Sequence, residues 1–341
     1  MRKLRNHAGV LAGVLALALV GAACGGDDGT GDGGSPSPEL EGTITVSGSS
    51  TVEPISSLVA ELFVETNPNV AINVTGPGTG DGFELFCDGE TDISDASRQI
   101  ESDEAKACEK NGIEYTELEV GIDGIAVVTN PENSVSCLNF ADLYSLFGPE
   151  SEGVDTWADA NDLAGQVGGT GGFPDAPLDI TAPGEESGTY DSFIEIAGFE
   201  DIGIEQGVDE DEAAALRKDY QASPDDNVII TAMGGSPSAL GFVGFAFAES
   251  AGETVKMLEV DGGEGCVAPS ADTIADGSYP LSRSLYIYPN DTKAAESEAV
   301  SAYVDHYLTD EGLVTAVEEV GYVALPPERI EATRSAWSSA A

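Results

Sequence analysis

The chain has 341 residues and carries 62 acidic against 13 basic side chains, a formal net charge of −49 at pH 7. So large a negative charge argues against nucleic acid and anionic lipid surfaces as partners. A chain of this length is large for a single hydrophobic core, so we expect two lobes.

The N-terminal residues have the pattern of a processing signal. Residues 1–6 include the basic Arg2, Lys3 and Arg5, and an apolar run, Ala8–Ala23, leads to Cys24. This order predicts a signal peptide over residues 1–23 with a lipid on Cys24. Gly21 stands where a lipidation signal usually has leucine, so a plain signal peptide cleaved nearby is the alternative. A Gly-, Asp-, Ser- and Pro-rich stretch follows, and we expect residues 24–40 to form a flexible tether.

Strand and helix signals alternate along the rest of the chain, which predicts an α/β protein with helices on both faces of its sheets. The predicted strands are Thr43–Ser47, Val70–Thr75, Ile113–Val120, Gly124–Thr129, Leu178–Thr181, Leu240–Phe247 and Leu285–Tyr288. The predicted helices are Pro54–Thr66, Gly82–Cys87, Asp103–Asn111, Phe140–Phe147, Thr189–Ala197, Asp211–Arg217, Lys293–Leu308 and Glu311–Val320.

Three turns place glycine and hydroxyl residues between a predicted strand and a predicted helix. They span Ser47–Ile55, Thr75–Phe83 and Gly184–Phe193, here called the first, second and third turns. A helix N-terminus exposes unpaired N–H groups and roughly half a positive charge, so it can hold an anion. A single hydroxyl there is an ordinary N-cap, but three such turns favour an oxyanion pocket. The candidate residues are Ser49, Ser50 and Thr51, then Thr79 and Asp81, then Ser187, Gly188 and Thr189.

The second turn matches neither of the two common phosphate-binding fingerprints. Its glycines, from Gly76 to Gly82, lack the third glycine of the dinucleotide motif, because that position is Phe83. The run also lacks the GKS/T ending of a P-loop. The sequence therefore predicts neither a dinucleotide nor a nucleoside triphosphate at this turn.

Arg98 is notable because basic residues are scarce. Between Cys24 and Arg217 the only others are Lys106 and Lys110, on a charged helix face where we expect them to be solvated. The guanidinium of Arg98 could bind an oxyanion through two parallel hydrogen bonds. The alternative is a structural ion pair with one of the many carboxylates.

Four cysteines follow Cys24, and an even count in a secreted chain favours disulfides. We expect Cys87–Cys108 and Cys137–Cys266, with the other two pairings open. No CxxC pair occurs and His306 is the only histidine beyond the signal. We therefore expect no metal site.

Two apolar-rich strands far apart in sequence, Gly124–Thr129 and Ser282–Ile287, can form a two-stranded hinge. The first lobe would then contain residues 41–123 plus 283–341, and the second lobe residues 124–282. Two sequential domains are the alternative, but no linker is visible after residue 40.

Five segments together resemble the phosphate-binding subunit of the phosphate-specific ABC transporter, most closely its actinobacterial and cyanobacterial branch. The segments are SGSSTVEPI, GTGDGFELFCDGETDISDASRQI, VGIDGIAVVTNP, APGEESGTYDSF and SPDDNV. The resemblance covers the mature chain in order. It implies a two-lobed fold of the periplasmic-binding-protein type (type II) that closes on dehydrated phosphate. It also implies delivery of the phosphate to an ABC permease in the membrane.

The resemblance implies ligand contacts from all three turns and from the loop after Asp92. The residues at the matching positions are Ser50, Thr51, Thr79, Ser97, Ser187, Gly188 and Thr189. Two positions depart from the best-known members, which have an arginine where this chain has Pro183 and an aspartate where it has Ser97. We hypothesise that Arg98 replaces the missing arginine.

A carboxylate in the pocket would select phosphate over sulfate, because only phosphate still carries a proton to donate near neutral pH. Asp81 and Asp95 are the candidates, and a surface position is the alternative for each.

Three competing functions remain to be weighed. A hydrolase would need His306 beside Ser187, and GEESG does not match GxSxG. A passive surface protein would show no saturable anion binding, and sulfate or another tetrahedral oxyanion is the alternative ligand. We expect a monomeric binding protein for inorganic phosphate with no catalysis and no cofactor, held at the outer face of the membrane only through the lipid on Cys24.

Overall fold

The computed structural model describes residues 40–340 apart from residue 186. The predicted signal peptide, the lipid site at Cys24 and the tether up to residue 39 lie outside the described residues.

The described residues alternate between strands and helices, which confirms the α/β class. The strands are β1 (Gly42–Gly48), β2 (Val70–Thr75), β3 (Ile93–Ala96), β4 (Leu118–Thr129), β5 (Cys137–Asn139), β6 (Thr181–Ala182), β7 (Gln221–Ala222), β8 (Leu240–Gly244), β9 (Lys256–Met257), β10 (Glu259–Asp261), β11 (Cys266–Val267) and β12 (Ser282–Pro289). The helices are α1 (Glu53–Thr66), α2 (Thr79–Cys87), α3 (Ser102–Asn111), α4 (Phe140–Phe147), α5 (Asn161–Val167), α6 (Gly188–Ile196), α7 (Phe199–Gln206), α8 (Glu210–Ala213), α9 (Asp226–Met233), α10 (Phe245–Ala251), α11 (Ala271–Ala275), α12 (Asp291–Glu296), α13 (Glu298–Tyr307), α14 (Val317–Glu319) and α15 (Pro327–Ala340).

Several predicted elements differ from the structure. The strands predicted over Ile113–Val120 and Gly124–Thr129 are one strand, β4, that begins at Leu118, the strand predicted over Leu178–Thr181 is reduced to β6, and the helix predicted over Asp211–Arg217 ends at Ala213. The strand predicted over Leu240–Phe247 ends at Gly244, and Phe245 begins helix α10. The helix predicted over Lys293–Leu308 is two helices, because the Ser297 hydroxyl accepts from the N–H of Val300 and caps a new helix there. The helix predicted over Glu311–Val320 is a π-helical turn followed by the short α14.

The main sheet has the strand order β2-β1-β3-β12-β4-β8, with β9 pairing on β4. β1 runs parallel to both β2 and β3, so the carboxyl ends of these three strands share one edge. β12 is antiparallel to β3 and β4, and its Arg283 lies opposite Asp123. The two segments predicted to pair as a hinge meet only at Gly124 and Ser282, because β12 pairs with the earlier part of β4 and Ile125–Thr129 pairs with β8.

Two large hydrophobic cores lie along this sheet. One contains buried residues from 44–120 and 285–337, and the other contains buried residues from 122–281 together with Leu325. β4 contributes to both, with Leu118 and Val120 in the first core and Ile122 and Ile125 in the second. Strand β4 therefore passes from one core to the other without interruption.

Both expected disulfides are present. Cys87 and Cys108 join α2 to α3, and Cys137 and Cys266 join β5 to β11. Across residues 40–340, residue 186 excepted, the structure has no helix long and apolar enough to span a bilayer.

Candidate functional site

The first and third turns lie against each other, although they are far apart in sequence. The Thr51 hydroxyl donates to the Gly188 carbonyl at 3.4 Å and shares a 2.9 Å hydrogen bond with the Ser192 hydroxyl. The Ser50 hydroxyl donates to Asp191 at 2.7 Å. Thr51 is only 1% exposed, so this contact is buried between the starts of α1 and α6.

There is little room for a side chain where these two turns meet. A Cβ added to Gly188 would lie 3.0 Å from both the Ser50 carbonyl oxygen and the Thr51 Cα. At the third turn itself, the Ser187 hydroxyl accepts from the Thr189 N–H at 3.2 Å and caps α6. Ser187 therefore has the ordinary N-cap role of a hydroxyl residue at a helix start.

The second turn joins the loop that follows β3. Thr79 and Ser97 share a 3.0 Å hydrogen bond between their hydroxyls, and the Ser97 N–H donates to Thr79 Oγ1 at 3.2 Å. No side chain of the described residues caps the start of α2, where Gly78 is the N-cap. The N–H groups at this helix start are therefore not satisfied by a capping side chain.

Backbone hydrogen bonds bring the two pairs of segments to the same sheet edge. The Ser49 N–H donates to the Asp95 carbonyl and the Gly78 N–H donates to the Gly48 carbonyl, each at 2.9 Å. A Cβ on Gly82 would lie 2.3 Å from the Gly48 Cα, so α2 can approach β1 this closely only with glycine. All three turns and the Ser97 loop thus meet beyond the carboxyl ends of β1, β2 and β3.

Arg98 is paired with carboxylates of the neighbouring helix. Its two terminal nitrogens donate to the two Glu104 oxygens at 2.9 and 2.8 Å, and Nε lies 3.4 Å from Glu101. The guanidinium also stands 5.8 Å from the ring centre of Phe83. The hydrogen bonds to Glu104 raise the pKa of Arg98. The geometry favours the structural ion pair, and a ligand role for Arg98 stays a prediction.

Arg283 is the cation that sequence reasoning missed. Its side chain is 13% exposed and its Nη2 donates to Thr51 Oγ1 at 3.1 Å and to Ser192 Oγ at 2.8 Å. It therefore touches the residues that join the first turn to α6. The scarcity of basic residues before Arg217 marks Arg98 in the sequence, whereas Arg283 lies beyond that stretch and carries no local signal of a binding role.

Two carboxylates flank Arg283. Glu195, on α6, accepts from Nη1 at 2.6 Å and is half-exposed. Asp123 is fully buried, and its Oδ2 lies 4.0 Å from the Arg283 Nε. Burial raises the pKa of Asp123, against the opposing charge of Arg283.

The two candidate proton acceptors have different environments. Asp81 is exposed on the first turn of α2, which is the surface position given above as its alternative. Asp95 is fully buried, which excludes the surface alternative, and it accepts from the Ser56 hydroxyl at 3.0 Å. Burial raises the pKa of Asp95 to about 7; the hydrogen bond from Ser56 lowers it and the Glu53 carboxylate raises it.

An open cavity of about 350 Å³ lies between the Ser97 loop and β12. It is lined by Ser97, Arg98, Gln99, Glu195, Ile196, Arg283, Ser284 and Tyr286. Both arginines thus reach one cavity. The hydrolase alternative is not supported, because His306 packs on Phe63 and faces Glu311, whereas Ser187 caps α6.

The fold and this cleft, built on helix starts at the end of a mixed sheet, are those of a solute-binding protein. A family model described as the PBP superfamily domain matches residues 33–311, and the chain belongs to that superfamily. Protein SphX of Synechocystis sp. is 38% identical over 289 residues, covering 84% of this chain and 79% of SphX. The phosphate-binding protein PstS of Staphylococcus epidermidis is 32% identical, covering 92% of this chain and 87% of PstS.

A solved structure shares the whole architecture. The crystal structure of a possible phosphate binding protein from Planctomyces limnophilus aligns with a TM-score of 0.78 and 34% identity. The alignment covers 88% of this chain and 99% of that chain. This similarity supports the predicted two-lobed fold of the periplasmic-binding-protein type (type II).

Proposed function

We propose that the protein captures inorganic phosphate outside the cytoplasm and delivers it to an ABC importer. The observation that carries this proposal is the direct contact of the first and third turns through Thr51 and Gly188, beside the second turn at one sheet edge. Helix starts in this arrangement supply N–H and hydroxyl donors to a tetrahedral oxyanion. The names of the PstS relative and of the similar solved structure, each described as a phosphate-binding or possible phosphate-binding protein, agree with phosphate as that oxyanion.

The proposed donors are those of the sequence analysis: Ser50, Thr51, Thr79, Ser97, Ser187, Gly188 and Thr189. Several of these hydroxyls bond to other hydroxyls, as Thr51 does to Ser192 and Thr79 to Ser97. Phosphate would exchange these neutral hydrogen bonds for charge-assisted ones, which are about twice as strong.

We propose Asp95 rather than Asp81 as the group that selects phosphate over sulfate. Asp95 is buried beside the first turn, and its Oδ2 has no hydrogen-bond partner in the described part of the chain. With a pKa of about 7, part of Asp95 is ionised near neutral pH, and in that form it can accept a phosphate proton but leaves sulfate facing an uncompensated negative charge. Asp81 is exposed and imposes no such penalty.

Lobe closure is part of the proposal. Residues 41–123 plus 283–341 would form the first lobe and residues 124–282 the second, with the boundary at the paired residues Asp123 and Arg283. The two hydrophobic cores divide the chain close to this boundary, which supports it. Attachment through a lipid on Cys24, a monomeric state and docking to a membrane permease complete the proposed role.

Isothermal titration with phosphate, sulfate and arsenate tests the proposal. We expect saturable 1:1 binding of phosphate, comparable binding of arsenate, and sulfate binding weaker by at least about tenfold, or 1.4 kcal/mol. No heat with phosphate, or equal affinity for sulfate, would contradict it. Turnover of a chromogenic phosphate ester would show instead that the protein is an enzyme.

A further inference from the structure

We propose that Arg283, positioned by Asp123, is the cation of the anion site, and that Glu195 is an internal competitor that the anion displaces from it. This inference rests on the proposed function, because it assigns residues to the same site. It differs from the sequence-based hypothesis, which gave the cation role to Arg98.

The first argument is position. Arg283 Nη2 lies within 3.1 Å of Thr51 Oγ1 and 2.8 Å of Ser192 Oγ, the two hydroxyls at which α1 and α6 meet. Its guanidinium also lines the open cavity that reaches Ser97. An oxyanion bound at the first and third turns would therefore lie next to this guanidinium, which can donate two parallel hydrogen bonds.

The second argument is that polar atoms of Arg283 and of the neighbouring Asp123 are buried without hydrogen-bond partners. The Arg283 Nε and both carboxylate oxygens of Asp123 are buried and have no hydrogen-bond partner within 3.5 Å in residues 40–340 outside position 186, although the nearby Ser192 hydroxyl lowers the pKa of Asp123. Buried polar groups of this kind are rare in folded proteins, and a role in binding an ion is one of the explanations for them. Asp123 lies opposite Arg283 in the strand register, so it can hold the guanidinium electrostatically without using up its terminal N–H groups.

The third argument concerns Glu195. Its carboxylate accepts from Arg283 Nη1 at 2.6 Å, although the side chain is 53% exposed and lines the same cavity. A carboxylate and a phosphate oxygen compete for the same donor. The exposed Glu195 can rotate into solvent at little cost, whereas the buried Asp123 cannot. Glu195 would thus occupy Arg283 until the anion arrives.

Arg98 lacks these properties. Both of its terminal nitrogens are bound to Glu104 at 2.8–2.9 Å, and Glu104 also accepts from the Glu101 N–H at the start of α3. Releasing Arg98 would therefore leave the Glu104 carboxylate, which is held in place at the cap of α3, without its cation. Arg98→Gln is a suitable comparison, because it removes a cation from the rim of the same cavity.

The experiment is calorimetric titration of inorganic phosphate into the wild type and five variants. We expect Arg283→Gln to bind about a hundredfold more weakly and Arg283→Lys about tenfold more weakly, since lysine keeps the charge but loses the planar fork. Arg98→Gln should stay within about threefold of the wild type. Glu195→Gln should bind about threefold to tenfold more tightly, whereas the control Glu205→Gln, an exposed acid on α7, should not change affinity.

The outcomes separate the two proposals. If the wild type does not bind phosphate, the proposed function fails. If the wild type binds and Arg283→Lys stays within threefold of it, or Arg98→Gln loses more than Arg283→Lys, the cation assignment is overturned. Weaker binding by Glu195→Gln, or a gain equal to that of Glu205→Gln, overturns the competitor role. Because Glu195 and Glu205 are exposed, these two variants keep the test independent of any folding defect in the Arg283 variants.

Discussion

Gly188→Ala tests whether the first and third turns close directly on each other around the ligand. The new Cβ would lie 3.0 Å from the Ser50 carbonyl oxygen and from the Thr51 Cα, closer than ordinary van der Waals contact. Both atoms belong to the backbone of the first turn, so no side chain can rotate to relieve the contact. Overpacking of this kind costs about 1–3 kcal/mol. We expect phosphate affinity to fall by about tenfold, or 1.4 kcal/mol.

The ligand-free variant should lose less stability than this overpacking cost, because the helix propensity of alanine, better by up to about 1 kcal/mol, offsets part of it and the turns can separate slightly. Calorimetry measures the affinity, and thermal unfolding without ligand measures the stability. Gly165→Ala is the matched control, because a Cβ at this position in α5 meets nothing within 4 Å. Wild-type affinity in Gly188→Ala, within twofold, would refute the contact of the two turns as the basis of binding.

Three further predictions concern stability, pH and salt. The buried Cys87–Cys108 disulfide closes a loop with a sequence separation of 21. Replacing both cysteines by serine should lower the free energy of unfolding by about 3 kcal/mol in guanidinium titrations. A loss under about 1 kcal/mol would contradict a stabilising role of this disulfide. Native Asp95 keeps its proton up to a pKa of about 7, whereas the unfolded chain loses it near the ordinary value of 3.8. Wild-type stability should therefore fall relative to Asp95→Asn as pH rises from 4 to 7, by a few kcal/mol in urea titrations, and a constant difference over this range would be inconsistent with the raised pKa. The net charge of −49 should repel phosphate at low ionic strength, where the Debye length is about 30 Å at 0.01 M against about 3 Å at 1 M. Binding should be several-fold tighter in 1 M than in 0.01 M sodium chloride, and an affinity that falls with salt would exclude such long-range repulsion.

Local sequence signals predicted much of the fold. Val70–Thr75 and Phe140–Phe147 have the predicted boundaries, because apolar periodicity and flanking turn residues mark them clearly. The prediction failed where a polar cap divides an apolar pattern, as Ser297 does between α12 and α13. It also omitted α15, although Pro327 stands at its first residue, a common helix start.

The features of the candidate site that depend on neighbouring residues in the sequence were predictable. Glycine and hydroxyl residues before a helix are visible in the sequence, and the structure brings those of all three turns to one sheet edge. The partners of charged residues were not predictable, since they depend on tertiary packing. Arg98 turns to Glu104 on the next helix, while Arg283 reaches Thr51 from 232 residues away.

A crystal structure of the protein grown with phosphate tests the central claim most directly. We predict one phosphate at the sheet edge, within hydrogen-bond distance of Thr51, Thr79, the N–H groups of the third turn and the Arg283 guanidinium, with Glu195 turned away. A phosphate bound elsewhere, or held by Arg98 while Arg283 keeps its bond to Glu195, would contradict the account.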